Sequence, residues 1–157
     1  MGAFFLIKSI KIISHNEKET QVLGEKIAPI IGKGKIAFLK GDLGSGKTTF
    51  VKGITKYYKC EQQAKSPTFI LISSYIGTVE VNHCDFYRIK NAEEIFDLAL
   101  EELLEKGNLI IEWPEVVSKF IPLPDIELSF SVISNDEREI ILTFKDTKIL
   151  DQFKVNE

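Results

Sequence analysis

One octapeptide constrains the fold of this chain more than any other feature of its sequence. Gly41-Asp42-Leu43-Gly44-Ser45-Gly46-Lys47-Thr48 satisfies the pattern G-x-x-x-x-G-K-[ST]. The nearly all-apolar residues 35–40 before it predict a buried parallel strand, and residues 47–58 predict a helix that begins at its last two positions. A glycine-rich loop of this pattern between a strand and a helix is a phosphate-binding loop. We therefore predict an α/β domain with a phosphate site at the end of this strand.

Each part of the loop has a physical role in holding a nucleoside triphosphate. Glycines allow a turn whose N–H groups converge on phosphate oxygens, and the N-terminus of the following helix adds partial positive charge. Lys47 can reach the β- and γ-phosphates, and the Thr48 hydroxyl can bind Mg²⁺. A glycine-rich turn with an incidental lysine is the alternative, but eight matching residues between a predicted strand and helix favour the phosphate-binding loop. No Asn-Lys-x-Asp motif for guanine occurs, so ATP is the expected nucleotide.

Two acidic residues follow predicted strands and are candidates for the rest of a nucleotide site. Glu112 ends a short apolar strand, where nucleotide hydrolases carry an acid that anchors Mg²⁺, usually an aspartate. A cap for the helix that Pro114 begins is the other explanation for Glu112, and the phosphate-binding loop favours the metal. Asp85 and Arg88 could flank a phosphate, as a water-orienting acid and a stabilising cation. Without other context, such a pair is more often structural.

Thr68 is a further candidate, in the loop before the strand that ends at residue 75. It could approach the γ-phosphate or its Mg²⁺ as the threonine of a switch loop does. A Ser/Thr turn leading into the strand is the other explanation for Ser66-Pro67-Thr68, and it is slightly favoured before any family resemblance is considered. The residues alone leave both explanations open.

The remaining patterns predict a mixed sheet flanked by helices. Ser14 and Glu17 match a capping box at the start of a helix. The other predicted elements are a helix over residues 15–31, hairpins of strands 69–75 with 79–85 and 126–133 with 138–144, a helix over 92–105, a strand over 108–112 and a brief helix from Pro114. We predict a P-loop NTPase-like three-layer domain with a central mixed β-sheet, as a single domain over residues 1–157.

Composition excludes several other classes of protein. Twenty Lys and Arg against 23 Asp and Glu give a net charge of −3, which excludes a broadly cationic nucleic-acid binder but leaves a local basic patch open. Cys60 and Cys84 are too few for a disulfide framework or a four-cysteine zinc site. His83 and Cys84 point to opposite faces of a strand, so we expect His83 and His15 to make hydrogen bonds. Without a signal peptide or membrane helix, we expect a cytoplasmic protein.

Several motifs recur together in one known family. Beyond the generic phosphate-binding loop, these are Ser66-Pro67-Thr68-Phe69, His83-Cys84-Asp85-Phe86-Tyr87-Arg88 and Ile111-Glu112-Trp113-Pro114-Glu115. In this order they resemble the signature of TsaE (YjeE), the bacterial ATPases of tRNA threonylcarbamoyladenosine synthesis. The resemblance covers nearly the whole chain, from Leu23-Gly24 to the last hairpin.

The resemblance implies roles for individual residues. Mg-ATP would lie on Asp42, Leu43, Gly44, Ser45, Gly46, Lys47, Thr48 and Thr49, with Thr48 and Glu112 near the metal. Asp85 would position the attacking water, Thr68 would sense the γ-phosphate, and Lys47 would hold it. Arg138 would lie near the nucleotide, and Glu17 would approach the base. Trp113 would lie beside the site.

The resemblance also implies partners. Members of this family act with TsaD, which transfers the threonylcarbamoyl group to tRNA, and with its paralogue TsaB; ATP hydrolysis resets that complex. tRNA would be contacted only indirectly through the complex, and neither membrane nor DNA is implied.

Two other functions use the same loop. A small-molecule kinase needs a lid or several arginines for its acceptor, and Arg88 and Arg138 are the only arginines. A nucleotide-dependent interaction module without useful turnover differs from a partner-activated ATPase only in whether partners elicit hydrolysis.

Overall fold

A seven-stranded mixed sheet organises the part of the chain that the computed structural model describes, residues 8–65 and 71–155. Its strands are β1 (Ser9–Ser14), β2 (Ile36–Lys40), β3 (Ile72–Tyr75), β4 (Glu80–Asp85), β5 (Gly107–Glu112), β6 (Ile126–Val132) and β7 (Arg138–Phe144). The strand order is β1-β7-β6-β2-β5-β4-β3. The four strands β6, β2, β5 and β4 run parallel, and the antiparallel strands β1, β7 and β3 complete the sheet.

Helices cover both faces of the sheet. They are α1 (Glu17–Ile27), α2 (Lys47–Tyr57), α3 (Leu100–Lys106) and α4 (Thr147–Val155), with 3₁₀ turns at Ala28–Ile30, Ala92–Leu98 and Pro114–Val116. Alternate residues of β2 enter two separate cores: Leu39 packs with α1, α2 and α4, whereas Phe38 packs with the segment around α3. The predicted three-layer α/β class is therefore confirmed. No helix within the described ranges has the length and apolar character needed to cross a membrane.

The topology places the ends of several strands at one edge of the sheet. Because β2, β4 and β5 are parallel, the loop after β2 lies beside Asp85 and Glu112, the last residues of β4 and β5. β7 runs the other way and begins at this edge with Arg138, opposite Ser14 at the end of β1. The ends of several strands therefore lie close together at this edge.

The first helix begins two residues later than its sequence pattern predicts. Ser14 ends β1, and its hydroxyl lies 2.7 Å from the Thr20 hydroxyl. The N-cap is Asn16, whose side chain accepts a hydrogen bond of 2.9 Å from the Glu19 backbone N–H. The capping box at Ser14 and Glu17 is thus wrong, because Asn16 and Glu19 repeat its spacing two residues on and Ser14 is held in the sheet.

Two other local expectations differ from the structure. The helix predicted over residues 92–105 is two elements, a 3₁₀ segment and α3, separated by Ala99 at φ +52°. A left-handed residue interrupts the helical repeat, which apolar spacing alone does not reveal. No element is predicted for the segments that form β1 and α4. β1 is an edge strand paired with β7 and α4 is a short helix, so neither has a strong local sequence pattern.

Candidate active site

A cavity of about 360 Å³ opens at the sheet edge where the parallel strands end. Its lining consists of Glu17, Thr20, Leu43, Gly44, Gly46, Lys47, Thr48, Thr49, Asp85, Glu112, Asn135, Asp136 and Arg138. Asp42 and Ser45 belong to the same loop but are not among the lining residues. The structure thus brings together, from five parts of the chain, most of the residues predicted to form a nucleotide site.

Thr68 and its neighbours Ser66 and Pro67 lie outside the described residues, so the role of Thr68 stays a prediction. Arg88 is described, but it is exposed and does not line the cavity. Thr20, Asn135 and Asp136 do line it, although no motif points to them. For Thr20 a signal existed, since it lies three residues after Glu17 on the same face of α1.

Backbone conformation explains the glycines of the loop. Gly41, Gly44 and Gly46 all have positive φ, at +145°, +78° and +107°. At Gly41 a Cβ atom would lie 2.7 Å from the Phe130 carbonyl oxygen, so a side chain does not fit there. Gly46 is the N-cap of α2 and leaves the first turn of the helix facing the cavity. Unpaired N–H groups at a helix N-terminus suit an anion.

The Lys47 side chain lies in this site and makes contacts with other residues of the protein. The side chain is only 5% exposed, and Nζ donates a hydrogen bond to the Gly41 carbonyl oxygen. Nζ also lies 3.4 Å from Glu112 Oε1 and 4.9 Å from the centre of the Trp113 ring. These three contacts offset the desolvation free energy that burial of the ammonium group costs. The cation that would bind phosphate is therefore already paired within the protein.

Glu112 is held from its other side by His83. His83 Nε2 lies 2.7 Å from Glu112 Oε2, and His83 is fully buried. An ionised carboxylate only accepts hydrogen bonds, so Nε2 carries the proton that it donates. Nδ1 has no hydrogen-bond partner among the described residues. Burial raises the pKa of Glu112, but the hydrogen bond and electrostatic effect of His83, followed by the charge and hydrogen bond of Lys47, outweigh it, so the pKa is lowered and Glu112 is ionised.

Asp85 is the second carboxylate, directly opposite Glu112 in the pairing of β4 with β5. Its Oδ1 accepts a hydrogen bond of 3.0 Å from the Tyr87 backbone N–H, which fixes the side chain at the end of the strand. Partial burial raises the pKa of Asp85, the Tyr87 bond opposes this, and the charge of Glu112 raises it further. Asp85 is thus the more basic of two adjacent carboxylates, as suits a group that accepts a hydrogen bond from water.

Arg138 ties the last hairpin to the phosphate-binding loop. Its Nη1 donates to the Ser134 carbonyl oxygen at 2.8 Å, and Nη2 donates to the Gly44 carbonyl oxygen at 3.2 Å. Glu17 lines the same cavity from the start of α1. The two residues predicted near the nucleotide base therefore lie in the cavity with the loop.

Aromatic rings border the lysine side of the site. The Trp113 and Tyr87 ring centres are 4.9 Å apart, and the Lys47 ammonium faces the Trp113 ring. Trp113 has φ +56°, an unusual left-handed conformation for a bulky residue, which turns the chain at the end of β5. This turn places the ring beside Lys47.

The predicted metal ligands suit Mg²⁺ as nucleotide enzymes bind it. Among the described residues, no group of three or more His, Cys, Asp or Glu side chains is arranged to hold a metal ion. Mg²⁺ instead keeps several waters and is bound by one or two protein oxygens together with substrate phosphates. Thr48 and the ionised Glu112 line one cavity and supply such oxygens.

Comparison with known proteins identifies the family. The family model described as threonylcarbamoyl adenosine biosynthesis protein TsaE matches residues 14–140, which include the whole cavity. This chain belongs to the TsaE family. A TsaE protein of Rickettsia bellii is 38% identical over 128 residues, covering 80% of this chain and 89% of its own length. The TsaE protein of Bacillus subtilis is 32% identical over 139 residues, covering 87% of each.

A solved structure supports the same conclusion. The crystal structure of Bacillus subtilis YdiB superposes with a TM-score of 0.79 at 25% sequence identity, covering 96% of this chain and 95% of that one. The likeness thus extends over the sheet and its helices as well as the motifs. The resemblance to TsaE that the sequence motifs indicate is confirmed.

Proposed function

We propose that this chain is a Mg-ATP-dependent ATPase that acts in the threonylcarbamoyl modification of tRNA. The observation that carries the proposal is the convergence of Lys47, Thr48, Asp85 and Glu112 on one cavity beside a helix N-terminus. These are the cation, the metal-binding hydroxyl and the two carboxylates that phosphoryl transfer to water requires. The names of its relatives, tRNA threonylcarbamoyladenosine biosynthesis proteins, supply the process.

In this proposal the chain binds the triphosphate along the loop from Asp42 to Thr49. Lys47 exchanges its contact with Glu112 for the β- and γ-phosphates, and the α2 N-terminus faces the phosphates. Thr48 and Glu112 hold Mg²⁺, which would neutralise charge on the phosphate oxygens. Arg138 and Glu17 border the part of the cavity left for the nucleoside.

Asp85 then accepts a hydrogen bond from the attacking water. Its pKa is raised, which makes it the better proton acceptor of the two carboxylates, while Glu112 remains ionised for the metal. We assign Thr68 to sensing the γ-phosphate. Hydrolysis would reset a cytoplasmic complex with TsaD and TsaB, and tRNA would be contacted through that complex.

The cavity also bears on the kinase alternative. Arg138 is the one arginine that lines it, and both guanidinium nitrogens Nη1 and Nη2 already donate to backbone carbonyls. An acceptor phosphate would therefore find no pair of arginines there. This observation favours water as the acceptor.

The test is phosphate release from ATP by the full chain, alone and then with TsaD, TsaB and tRNA. We expect slow hydrolysis alone and a rise of about tenfold or more with the partners, in the range of ordinary allosteric coupling. Hydrolysis absent under both conditions, with ATP still bound, would identify an interaction module. Phosphate transferred to a small acceptor would identify a kinase.

A further inference from the structure

We propose that His83 is a positioning residue that fixes the Glu112 carboxylate for Mg²⁺; this inference rests on the proposed function. The structure places His83 beneath the cavity floor, two residues before Asp85 on the same face of β4. Both side chains therefore face the end of β5, where Glu112 lies.

The hydrogen bond to Glu112 explains why a polar ring lies at this position. His83 is fully buried in β4, where an apolar side chain would need no partner. Among the described residues the ring makes one hydrogen bond, the 2.7 Å contact with Glu112 Oε2, and Nδ1 makes none. Within the described part of the chain, Glu112 is thus the one hydrogen-bond partner of the ring.

The two oxygens of Glu112 are divided between two donors. Oε2 is bound by His83 at 2.7 Å, and Oε1 lies at the longer distance of 3.4 Å from Lys47 Nζ. When Lys47 moves to the phosphates, Oε1 loses its cation while Oε2 keeps its hydrogen bond. His83 therefore leaves the free oxygen directed into the cavity, where it is available to the metal or to a water bound to it.

Without His83 the Glu112 carboxylate prefers a different orientation. Its two oxygens are then both free to turn toward Lys47, the nearest cation. Such a pair removes the oxygen intended for Mg²⁺. A hydrogen-bond partner that orients a metal ligand in this way typically changes metal affinity by about 10–100-fold.

The experiment compares two substitutions that differ in reach. His83→Gln keeps an N–H donor near the place of Nε2, whereas the shorter side chain of His83→Asn does not reach Glu112. Both remove the imidazole ring, and they differ from each other by one methylene group. His15→Asn is the matched control, because His15 also bonds a glutamate, Glu137, at 2.9 Å but is exposed and does not line the cavity.

The readout is the Mg²⁺ concentration that gives half-maximal ATP binding by the full chain, with ATP affinity in EDTA measured in parallel. We expect His83→Asn to raise that Mg²⁺ concentration about tenfold or more. His83→Gln and His15→Asn should stay close to wild type, and affinity in EDTA should change little in all three.

Two results overturn the inference while leaving the proposed function intact: wild-type Mg²⁺ dependence in His83→Asn, or equal losses in the Asn and Gln variants. A wild-type chain whose ATP binding does not depend on Mg²⁺ would instead overturn the metal role in the proposed function itself.

Discussion

At the scale of single residues, the site is a small group of charges that compensate one another. One buried cation, Lys47, forms an ion pair with Glu112 and acts electrostatically on the neighbouring Asp85, and His83 is hydrogen-bonded to Glu112. Each charge is tolerated at the bottom of the cavity because the others are present. A substitution therefore acts on stability and on ligand binding together, and the two effects have to be measured separately.

Lys47→Ala should lose ATP binding and also destabilise the fold. It removes the fixed counter-charge of the phosphates and leaves Glu112 buried beside Asp85 without a cation. Breaking a buried pair by removing one partner typically costs about 3–5 kcal/mol. Urea unfolding and ATP titration measure the two effects, and Lys47→Met, which keeps most of the apolar stem, controls for lost packing. ATP affinity equal to wild type in Lys47→Ala would show that the phosphate site is wrongly assigned.

Asp85→Asn should retain ATP binding, lose turnover and make the free protein more stable at neutral pH. The folded-state pKa of Asp85 is raised, so its favourable contribution is present below the usual aspartate pKa of about 4 and is lost as pH rises through the folded value. At pH 7 the ionised side chain thus opposes folding. Asparagine removes the charge and keeps the Oδ1 acceptor for the Tyr87 N–H.

Thermal unfolding at pH 7 and near pH 3 checks whether ionised Asp85 lowers the stability of the protein. The stability advantage of Asp85→Asn should be present at pH 7 and vanish in acid, where wild-type Asp85 is also neutral. An advantage that persists unchanged in acid would mean that the Asp85 charge is not its cause. Unchanged ATP turnover would remove Asp85 from the mechanism.

At the scale of elements, the crossing of α1 and α2 sets the width of the cavity. α1 carries Glu17 to the lining and α2 carries Lys47. The two helices touch through glycines: a Cβ atom on Gly24 would lie 2.1 Å from the Phe50 carbonyl oxygen, and one on Gly53 would lie 2.0 Å from the Gln21 carbonyl oxygen. Backbone meets backbone there, so neither position accepts a side chain.

Gly24→Ala should therefore destabilise the protein and weaken ATP binding by moving α1 away from α2. Overpacking of this kind typically costs about 1–3 kcal/mol, and contact with rigid backbone places Gly24 at the upper end. Gly32→Ala is the matched control, since its Cβ would meet only the Tyr58 hydroxyl at 3.8 Å. Equal unfolding free energies for the two variants would contradict the close helix contact.

The sequence predicted those elements whose signals are local. β2 and β5 are short apolar segments, and turn residues join the two strands of each hairpin. The structure confirms these elements within the described residues, with β3 beginning at Ile72 and residues 69 and 70 of its predicted strand lying outside them. The break at Ala99 could not be predicted, because the apolar spacing runs through it and nothing in an alanine indicates a positive φ. The cap at Asn16 was missed because two overlapping capping patterns compete and the end of β1 decides between them.

The same limit applies to the cavity. Lys47, Glu112 and Asp85 carry their signal in short motifs, and the structure places them together. Asn135 and Asp136 join them only because the β6–β7 hairpin lies next to the loop, which depends on strand order. The bond between His83 and Glu112 depends on the register of β4 and β5, which no pattern in either strand specifies.

At the scale of the whole molecule, the cavity joins parts of the sheet that are distant in sequence. The P-loop follows β2, the carboxylates end β4 and β5, and the last hairpin reaches the loop through the bond from Arg138 to Gly44. A ligand bound there contacts all of these parts in the folded state and none of them together in the unfolded state. Ligand binding is thus coupled to folding of the whole sheet.

Mg-ATP at about 100 times its dissociation constant should stabilise the protein by about 2.7 kcal/mol, or a rise in Tm of about 5–10 °C for a chain of this size. Differential scanning fluorimetry measures the shift, and ATP with EDTA tests the contribution of the metal. Lys47→Ala should show no comparable rise. A shift of the same size in that variant would place the bound nucleotide elsewhere.

Lys47 also has a consequence for the speed of binding. In the free protein its ammonium group is held by Gly41, Glu112 and the Trp113 ring, so an arriving nucleotide meets an occupied site. Where release of the lysine is the slow step, the observed association rate stops rising at high ATP concentration and levels off at the rate of that release. Trp113 is the single tryptophan, and its fluorescence in a stopped-flow experiment reports the departure of the cation from its ring. The rate of ATP binding is then limited by the breaking of the Lys47–Glu112 ion pair within the protein.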